Sequence, residues 1–565
     1  MSLFTSLQVA SNALHAAQIG LQVAGNNVAN ANTPGYIRQS VEYVPAPIQR
    51  DGALPLGLGV QINGIVQEVD KFLQERVRNA ASDLAGGRTQ EETYTQLEAI
   101  IGELSDTDLS TSLTDFFGSV QDILNQPEDI AVRNLAVLRA TTLASDITRL
   151  TSRVRVLQDD ANNRVAATAD EINQLLDDVA DLNVKIVNIE ASATTHSDAV
   201  GLRDRRELAL TKLAEVINIR TDEQQDGSVT VFSGGDFLVF AGTAREVVAA
   251  VVQDSGLGKV EIRLEATNAP LASTSGRLAG LIAARDDIFG GYLDGLESFA
   301  SSLIFEFNKI YTGGQGLVGH TALTAEFTVE DTTAPLDQAA LPFTPVNGSF
   351  QVQVLNTQTG LTETTDLFVK LNGLDDDTTL DSLAASLDAI DGISASITSS
   401  RALTIATDSP NVEFAFAEDT SGALAALGIG TFFSGTGSGD IGVSDVVRAS
   451  PAKFAASRSG IGADTEVAVQ LASFFDQPLE SEDGASLAVL YDRLIAETTQ
   501  GAAVARAVAD GFEAFHQTLE AQNLAISGVS IDEEAVRMIQ YQRAFQASSR
   551  FIQTINEMLD ILVSL

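Results

Sequence analysis

LFTSLQVASNALHAAQIGLQVAGNNVANANTPGY, residues 3–36, decides how this chain is read. Leu3, Leu7, Ala10, Leu14, Ala17, Leu21, Ala24 and Val28 fall at alternating steps of four and three. That is a heptad seam held for most of four repeats, and it predicts a helix of the coiled-coil type. The seam is thin, because Ala10, Ala17 and Ala24 offer little area to bury. No Asp, Glu, Lys or Arg occurs before Arg38, while Gln8, Asn12, Gln18, Gln22, Asn26, Asn27, Asn30 and Asn32 dot the helix. A solvent-facing helix carries charged pairs, and a membrane helix does not carry so many amides. An uncharged, amide-bearing surface suits burial against protein, where an unpaired charge costs several kcal/mol. The stretch from Asn26 to Tyr36 ends the helix, because asparagine tolerates the left-handed C-terminal position. Pro34-Gly35 before Tyr36 then supplies the fixed and positive φ of a type II turn.

The far end mirrors this pattern. Met538, Tyr541, Phe545, Ser548, Ile552, Ile555, Leu559 and Leu562 alternate three and four. Ser530 and Glu533 are spaced as a capping box at its start. Ser527-Gly528-Val529 reads as the break from a preceding helix with Ala505, Val508, Phe512, Phe515, Leu519, Gln522 and Ile526 on one face. Ordering a residue costs roughly 1–2 kcal/mol of backbone entropy. The weak seams therefore predict tails that are disordered in the free monomer and fold when neighbouring subunits surround them.

Between the tails, residues 130–190 read as one long helix. Its seams are Ile147, Leu150, Val154, Leu157, Ala161 and then Ile172, Leu175, Val179, Leu182, Ile186, Ile189, with a stutter from Ala161 to Val165. Short strands are expected near 215–270, turning at Asp226-Gly227 and Gly234-Gly235, before helix returns over 276–311. Residues 321–449, rich in Thr, Ser, Gly and Asp, read as an inserted β-rich (α+β) domain with one helix near 379–390. The fold class is thus multidomain and mainly α. Residues 1–45 with 527–565 make a terminal coiled-coil domain. Residues 46–320 with 450–526 make a long-helix domain with short β hairpins, and 321–449 is the insert.

The chain has 565 residues, 44% of them hydrophobic, with 34 Lys and Arg against 76 Asp and Glu. A net charge of −42 repels phosphate backbones and anionic lipid, so neither nucleic acid nor membrane is expected as a partner. There is no cysteine, which removes disulfides, thiolate nucleophiles and zinc ribbons. No apolar run is long enough to span a bilayer, and the first 37 residues do not read as a secretory signal. His15, His196, His320 and His516 share no ligand spacing, so no metal site is expected. Gly435-Thr436-Gly437-Ser438-Gly439 lacks the lysine of a phosphate loop. Asp375-Asp376-Asp377 lacks the glycine and distal glutamate of a calcium loop, and Thr378 with Asp381 reads as a helix N-cap instead. Neither cofactor nor catalytic residue is expected.

The helix seam followed by Asn27-Val28-Ala29-Asn30 and Thr33-Pro34-Gly35-Tyr36 resembles the N-terminal signature of the bacterial flagellar rod and hook axial proteins. Three further segments are similar to the hook-associated members that form the first ring of the hook–filament junction. They are Gly59-Val60-Gln61-Ile62 with Val69-Asp70-Lys71-Phe72-Leu73; Ser275-Gly276-Arg277-Leu278-Ala279-Gly280-Leu281 with Arg285-Asp286; and Ser527 to Glu534 continuing through Tyr541-Gln542-Arg543-Ala544-Phe545. The resemblance covers about 1–320 and 450–565. It implies a structural export cargo rather than an enzyme. The terminal helices would line the flagellar tube as an inner domain, with 321–449 facing outward.

The implied partners are further copies in a ring, the hook protein, the second junction protein, and an export chaperone with the type III export apparatus. The implied location is extracellular, at the hook–filament junction, after a cytoplasmic stage. Assembly residues implied by the resemblance are Leu3, Leu7, Leu14, Leu21, Val28, Asn27, Asn30, Pro34, Gly35 and Tyr36. On the C-terminal helix, which a chaperone would also hold, they are Met538, Tyr541, Phe545, Ile552, Ile555, Leu559 and Leu562. The alternatives are another axial protein of hook or rod, an exported wall hydrolase, and an added adhesin role for 321–449.

Overall fold

A computed structural model describes residues 3–51, 54–102, 108–192, 197–254, 257–374, 376–460 and 464–564. His196 and Asp375 lie outside them. The chain opens with α1 (Leu3–Asn30), then β1 (Gln39–Pro45), β2 (Ile48–Asp51), β3 (Leu54–Gly57) and β4 (Val60–Gln67). Helices α2 (Lys71–Gly102), α3 (Leu109–Asn125), α4 (Ile130–Ser192) and α5 (Val200–Val216) follow. Next come β5 (Arg220–Glu223), β6 (Val229–Ser233), β7 (Asp236–Phe240), β8 (Thr243–Ala244), β9 (Val247–Asp254) and β10 (Leu257–Leu264). After α6 (Gly276–Ala283), a π-helical turn over Ala284–Phe289 and α7 (Gly290–Thr312), the β-rich stretch runs from β11 (Ala322–Thr324) to β18 (Gly442–Val443). Inside it lie β12 (Gly348–Asn356), β13 (Leu361–Val369), β14 (Ile393–Ile397), β15 (Leu403–Thr407), β16 (Val412–Ala417) and β17 (Phe433–Ser434), with helices α8 (Leu380–Asp388) and α9 (Ala423–Leu427). The chain closes with α10 (Asp445–Ala449), α11 (Glu466–Ser473), α12 (Leu487–Ser527) and α13 (Ile531–Ser564).

Two compact units result: residues 1–93, 159–285 and 503–565, and residues 94–158 with 286–502. Among the described residues the first shows two cores. One joins the second half of α4 to α5, α6 and the β5–β10 strands, through Val165, Ile172, Leu176, Val179, Leu213, Val231, Leu238 and Leu281. The other is smaller, with Leu73 and Ala80 of α2 against Leu519 of α12. Helix α4 has 63 residues, roughly 95 Å at 1.5 Å each. Its buried line steps Val154, Ala161, Val165, Ala169, Ile172, Leu176, Val179. The two successive steps of four around Val165 are the stutter. Past that point the seam expected at Leu175 and Leu182 is displaced by one residue: Leu176 and Asn183 are the buried ones. Asn183 is an amide no apolar template selects. Its side chain bonds both the Val229 and Ala241 carbonyls at 2.8 Å, so a hydrogen-bonding task holds that seam position.

Glycines let backbones touch in this unit. A Cβ on Gly276 (φ +86°) would sit 2.6 Å from the Val216 carbonyl, and one on Gly280 would sit 2.8 Å from the Gly86 carbonyl. The Ser-Gly-Arg-Leu-Ala-Gly segment is therefore a close-packing device.

The second unit is centred on aromatic rings. Phe116 lies 4.9–5.9 Å from Phe117, Phe307, Phe432 and Phe433, and Phe307 lies 5.7 Å from Phe474. The β-rich stretch adds a core of its own, from Leu323 through Phe350, Val352, Leu383, Ile405 and Phe414 to Ile429. It holds two three-stranded sheets, β13-β12-β16 and β11-β15-β14. The N-cap of α8 is Thr379 rather than Thr378, with a reciprocal bond to Ser382. Thr378 is occupied by the Lys370 backbone, to which it gives its N–H at 2.7 Å and from which its hydroxyl accepts at 2.9 Å.

Candidate assembly site

Helix α1 packs antiparallel on α13 and against β1 and β4. The deepest side chains of α1 are Ala10, Ala16, Ala17, Gly20, Val23, Ala24 and Asn27. Leu3, Leu7, Leu14, Leu21 and Val28 are only half-buried. Of the expected seam the structure buries the alanines, Ala10, Ala17 and Ala24, and leaves the leucines half-buried, with Ala16, Gly20, Val23 and Asn27 turned inward beside them. The reason lies at Gly20, where a Cβ would fall 2.5 Å from the Tyr541 ring and 2.8 Å from the Tyr43 hydroxyl. Two tyrosines occupy the space a side chain would need. On α13, Met538, Tyr541, Phe545, Ser548, Ile552 and Leu559 are half-buried and Ile555 is buried, whereas Leu562 is 63% exposed. The face expected on α12 is turned. Ala505, Ala509 and Leu519 are buried, while Val508, Phe515 and Ile526 are exposed.

At the turn end of this hairpin the N-terminal signature meets the C-terminal block. Asn27 is fully buried and uses its whole amide. Its Nδ2 donates to the Gln39 carbonyl at 2.9 Å and to Glu534 Oε2 at 3.2 Å. Its Oδ1 accepts from the Tyr36 hydroxyl at 2.8 Å and the Gln39 N–H at 3.0 Å. Glu534 is 1% exposed, and its Oε1 takes Arg38 Nε at 3.2 Å and Arg537 Nη1 at 3.5 Å. The Arg38 N–H closes the circuit on the Ser527 carbonyl at 2.9 Å. Glu533 does not reach back to its cap as a full capping box requires. Ser530 accepts the Glu533 N–H at 3.5 Å, but the Glu533 carboxylate pairs with Arg38.

Pro34 and Gly35 are exposed. They form the expected turn, with Gly35 at φ +75° and the Tyr36 N–H on the Thr33 carbonyl at 3.2 Å. Asn30 reaches back to Asn26 at 3.0 Å and accepts from Thr33. Burial, then the Asp204 and Glu534 carboxylates, push the Tyr36 hydroxyl up to about 12, so it stays a donor. Asp204 accepts from the Ile37 N–H and the Gln67 amide, and burial raises it to about 6.

No role was expected for Glu534, nor for Gly20, Arg38, Gln39, Tyr43 or Asp204. One signal was available: Arg38 is the first charge in the chain, and a charge ending so long an uncharged run points to a buried partner. The pairing of β1 with β4 had no comparable mark.

The glycine loop and the acidic run set aside above have partners within the chain. Glu297 takes the N–H and hydroxyl of Ser438 at 2.8 and 2.6 Å, so a carboxylate fills the glycine loop at 435–439. Asp376 pairs with Lys370, and Asp377 accepts the Asn372 and Gly373 N–H groups. Burial pushes His320 down to about 4. Among the described residues no group of three or more His, Cys, Asp or Glu is placed to hold a metal, and no helix is long and apolar enough to cross a membrane.

Three family descriptions match along the chain. Residues 94–324 match the flagellar hook-associated protein FlgK helical domain. Residues 7–36 match the flagella basal body rod protein, and 520–565 match the flagellar basal body rod FlgEFG protein C-terminal. Flagellar hook-associated protein 1 of Escherichia coli (strain K12) is 23% identical over 98% of both chains. Over nearly its whole length the chain is thus similar to flagellar hook-associated protein 1. The Bacillus subtilis (strain 168) member is 25% identical over 55% of this chain and 68% of its own. A solved structure of the flagellar hook junction protein FlgK from Burkholderia pseudomallei aligns with 80% of this chain and all of its own, at 16% identity and a TM-score of 0.49. The two rod-type matches fall on α1 with its turn and on the end of α12 with α13. Those are the segments that the Asn27–Glu534 bond ties together.

Proposed function

We propose that this protein is a structural subunit of the hook–filament junction, built as a ring of identical copies on which the filament grows. The observation that carries the reading is the buried Asn27–Glu534 bond. It makes one unit of two segments 507 residues apart in sequence. In this reading residues 1–45 with 527–565 form the inner layer, 46–320 with 450–526 the next, and 321–449 the outermost. The hook protein and the second junction protein meet the ring from either side. Before export an escort chaperone covers the α13 face that includes Met538, Tyr541, Phe545, Ile552 and Ile555. Leu3, Leu7, Leu14, Leu21 and Val28 serve lateral packing, which their half-burial leaves them free to do.

The tails become firm on assembly. The line α1 buries is mostly alanine and glycine, worth little area at about 25 cal/mol per Å2. Val536, Ile539, Phe551, Met558 and Ile561 of α13 are about half exposed or more, and so available to neighbours. Strong hydrogen-exchange protection of residues 3–30 in dilute monomer would refute this part. The test of function is deletion of residues 531–565 in the native host. Hooks without filaments are expected, and filaments growing on those hooks would overturn the assignment.

A further inference from the structure

Helix α1 turns one row of side chains away from α13. Phe4, Gln8, Ser11, His15, Gln18 and Gln22 are all exposed, at alternating steps of four and three. Gln8, His15 and Gln22 stand two residues before the buried Ala10, Ala17 and Ala24, about 200° round the helix. Helix α13 carries a second such row beside its seam. Gln540, Ala544, Ala547, Phe551, Thr554 and Met558 are all exposed and step by four and three as well. Neither row contains Asp, Glu, Lys or Arg. The charges of α13 over that span, Arg543, Arg550 and Glu557, recur one heptad apart on another line. An uncharged row of this period is the surface by which one helix packs on another.

The two rows also match in level. Within the hairpin Asn27 pairs with Glu534 and Gly20 lies on Tyr541, so residues at one height sum to 561. Read in opposite directions, the rows pair Phe4 with Met558, Ser11 with Phe551, His15 with Ala547 and Gln22 with Gln540, and every pair sums to 562. The offset is one residue, about 1.5 Å. A chain cannot close this pairing on itself, because its own α1 row faces away from α13. Two copies with a net charge of −42 repel wherever their carboxylates face, so self-contact needs neutral surfaces on both sides. The large apolar groups of the two rows gather at one end: Phe4 is 72% exposed, and Phe551 and Met558 are 48% and 49% exposed.

We infer that the outward row of α1 in one copy packs, antiparallel and level, on the outward row of α13 in the next copy of this chain, with Phe4 over Met558. The inference rests on the ring reading above and names its lateral contact. The contact is heterologous, so it repeats from copy to copy. Its offset falls within the stagger of knobs seated in holes, so neighbouring hairpins stay side by side and the ring can close. Each row runs about 27 Å on a helix about 10 Å wide, roughly 300 Å2 a side. A stable pair of proteins buries about 800 Å2 a side, so the contact holds where each copy is gripped by two neighbours and not between two free molecules.

The absence of native cysteine makes the test clean. Full-length protein carrying His15→Cys and Ala547→Cys is expressed in the native host, and isolated flagella are oxidised. A ladder of covalent multimers is expected from assembled protein and none from dilute monomer. His15→Cys paired with Ile561→Cys, about 21 Å further along the same row, should give none. Filament-bearing flagella that contain the matched pair but give no ladder overturn the contact and leave the junction assignment standing. An equal ladder from the mismatched pair overturns the register. Filaments on hooks that lack the protein altogether overturn the assignment itself. Should the matched pair not be incorporated, Ala547→Glu is read instead, with and without His15→Lys. Loss of incorporation with Ala547→Glu, at unchanged far-UV circular dichroism of the monomer, and recovery with His15→Lys support the inference. Incorporation of Ala547→Glu at the wild-type level, or no recovery with His15→Lys, overturns it.

Discussion

Asn27→Asp exchanges one atom type in a fully buried side chain and turns a donor into an acceptor. The introduced oxygen faces Glu534 Oε2 at 3.2 Å and the Gln39 carbonyl at 2.9 Å. Two full charges at that separation repel by about 5 kcal/mol at an effective dielectric of 20. The site has a cheaper state, in which the new carboxyl keeps its proton and donates to Glu534. Holding a proton at pH 7 on a group whose ordinary value is near 4 costs about 4 kcal/mol, and about 1.5 kcal/mol at pH 5. The smaller cost governs. The folded-state value is raised, so the penalty is absent below the unfolded value and grows as pH rises above it.

A chain of two units has no single unfolding free energy, so the readout must be local, and it is taken on assembled protein, where the tails are firm. The Gln39 amide, which donates to Asn27 Oδ1 at 3.0 Å, is the reporter. Relative to wild type at the same pH, its hydrogen-exchange protection should fall about a thousandfold at pH 7 and about tenfold at pH 5. Adding Glu534→Gln restores a donor–acceptor pair across the same gap and should recover most of the loss. An equal loss at both pH values, or a double variant no better than the single one, refutes the reasoning.

Gly20→Ala places a methyl 2.5 Å from the Tyr541 ring. The helix-propensity gain of up to about 1 kcal/mol is outweighed by overpacking of about 1–3 kcal/mol. Protection along α13 should fall and partly return with Tyr541→Ala; a rise in protection with Gly20→Ala alone contradicts the close approach. Asp204→Asn keeps the acceptor for Ile37 and Gln67 and removes a carboxylate that burial raises to about 6. The folded state then no longer holds an extra proton between pH 4 and 6, the window in which wild type loses stability as pH rises. The Ile37 amide should gain on the order of 1 kcal/mol of protection at pH 7, after allowance for partial solvent exposure, and nothing at pH 4. A gain of the same size at both pH values sinks the assignment of that group.

The elements were legible where one period ran long. The alternation from Met538 to Leu559 marks the residues α13 turns inward, and the stutter after Ala161 appears in α4 at the same residue. The turns at Pro34-Gly35 and Asp226-Gly227 were legible because positive φ leaves a residue-type signature, and both glycines have it at +75° and +85°. Faces were read less well than elements. The seams of α1, of α4 past its stutter and of α12 each held only in part, because several neighbours compete for one helix, and the apolar template cannot know that Asn183 has two carbonyls to bond or that Tyr541 needs Gly20 empty.

Sequence alone determined the uncharged helix at one end, the matching heptads at the other, the 63-residue rod between them and the absence of thiol chemistry. Each is local or compositional, set by spacing along the chain and by residue type. The tertiary structure decided that Asn27, Tyr36, Arg38 and Glu534 form one buried circuit, and that of the expected seam the alanines are buried while the leucines stay half-buried. A hydrogen bond across 507 residues has no period to betray it. Only bringing the two ends together leaves the Asn27 amide with no water, so that each of its bonds must come from the chain.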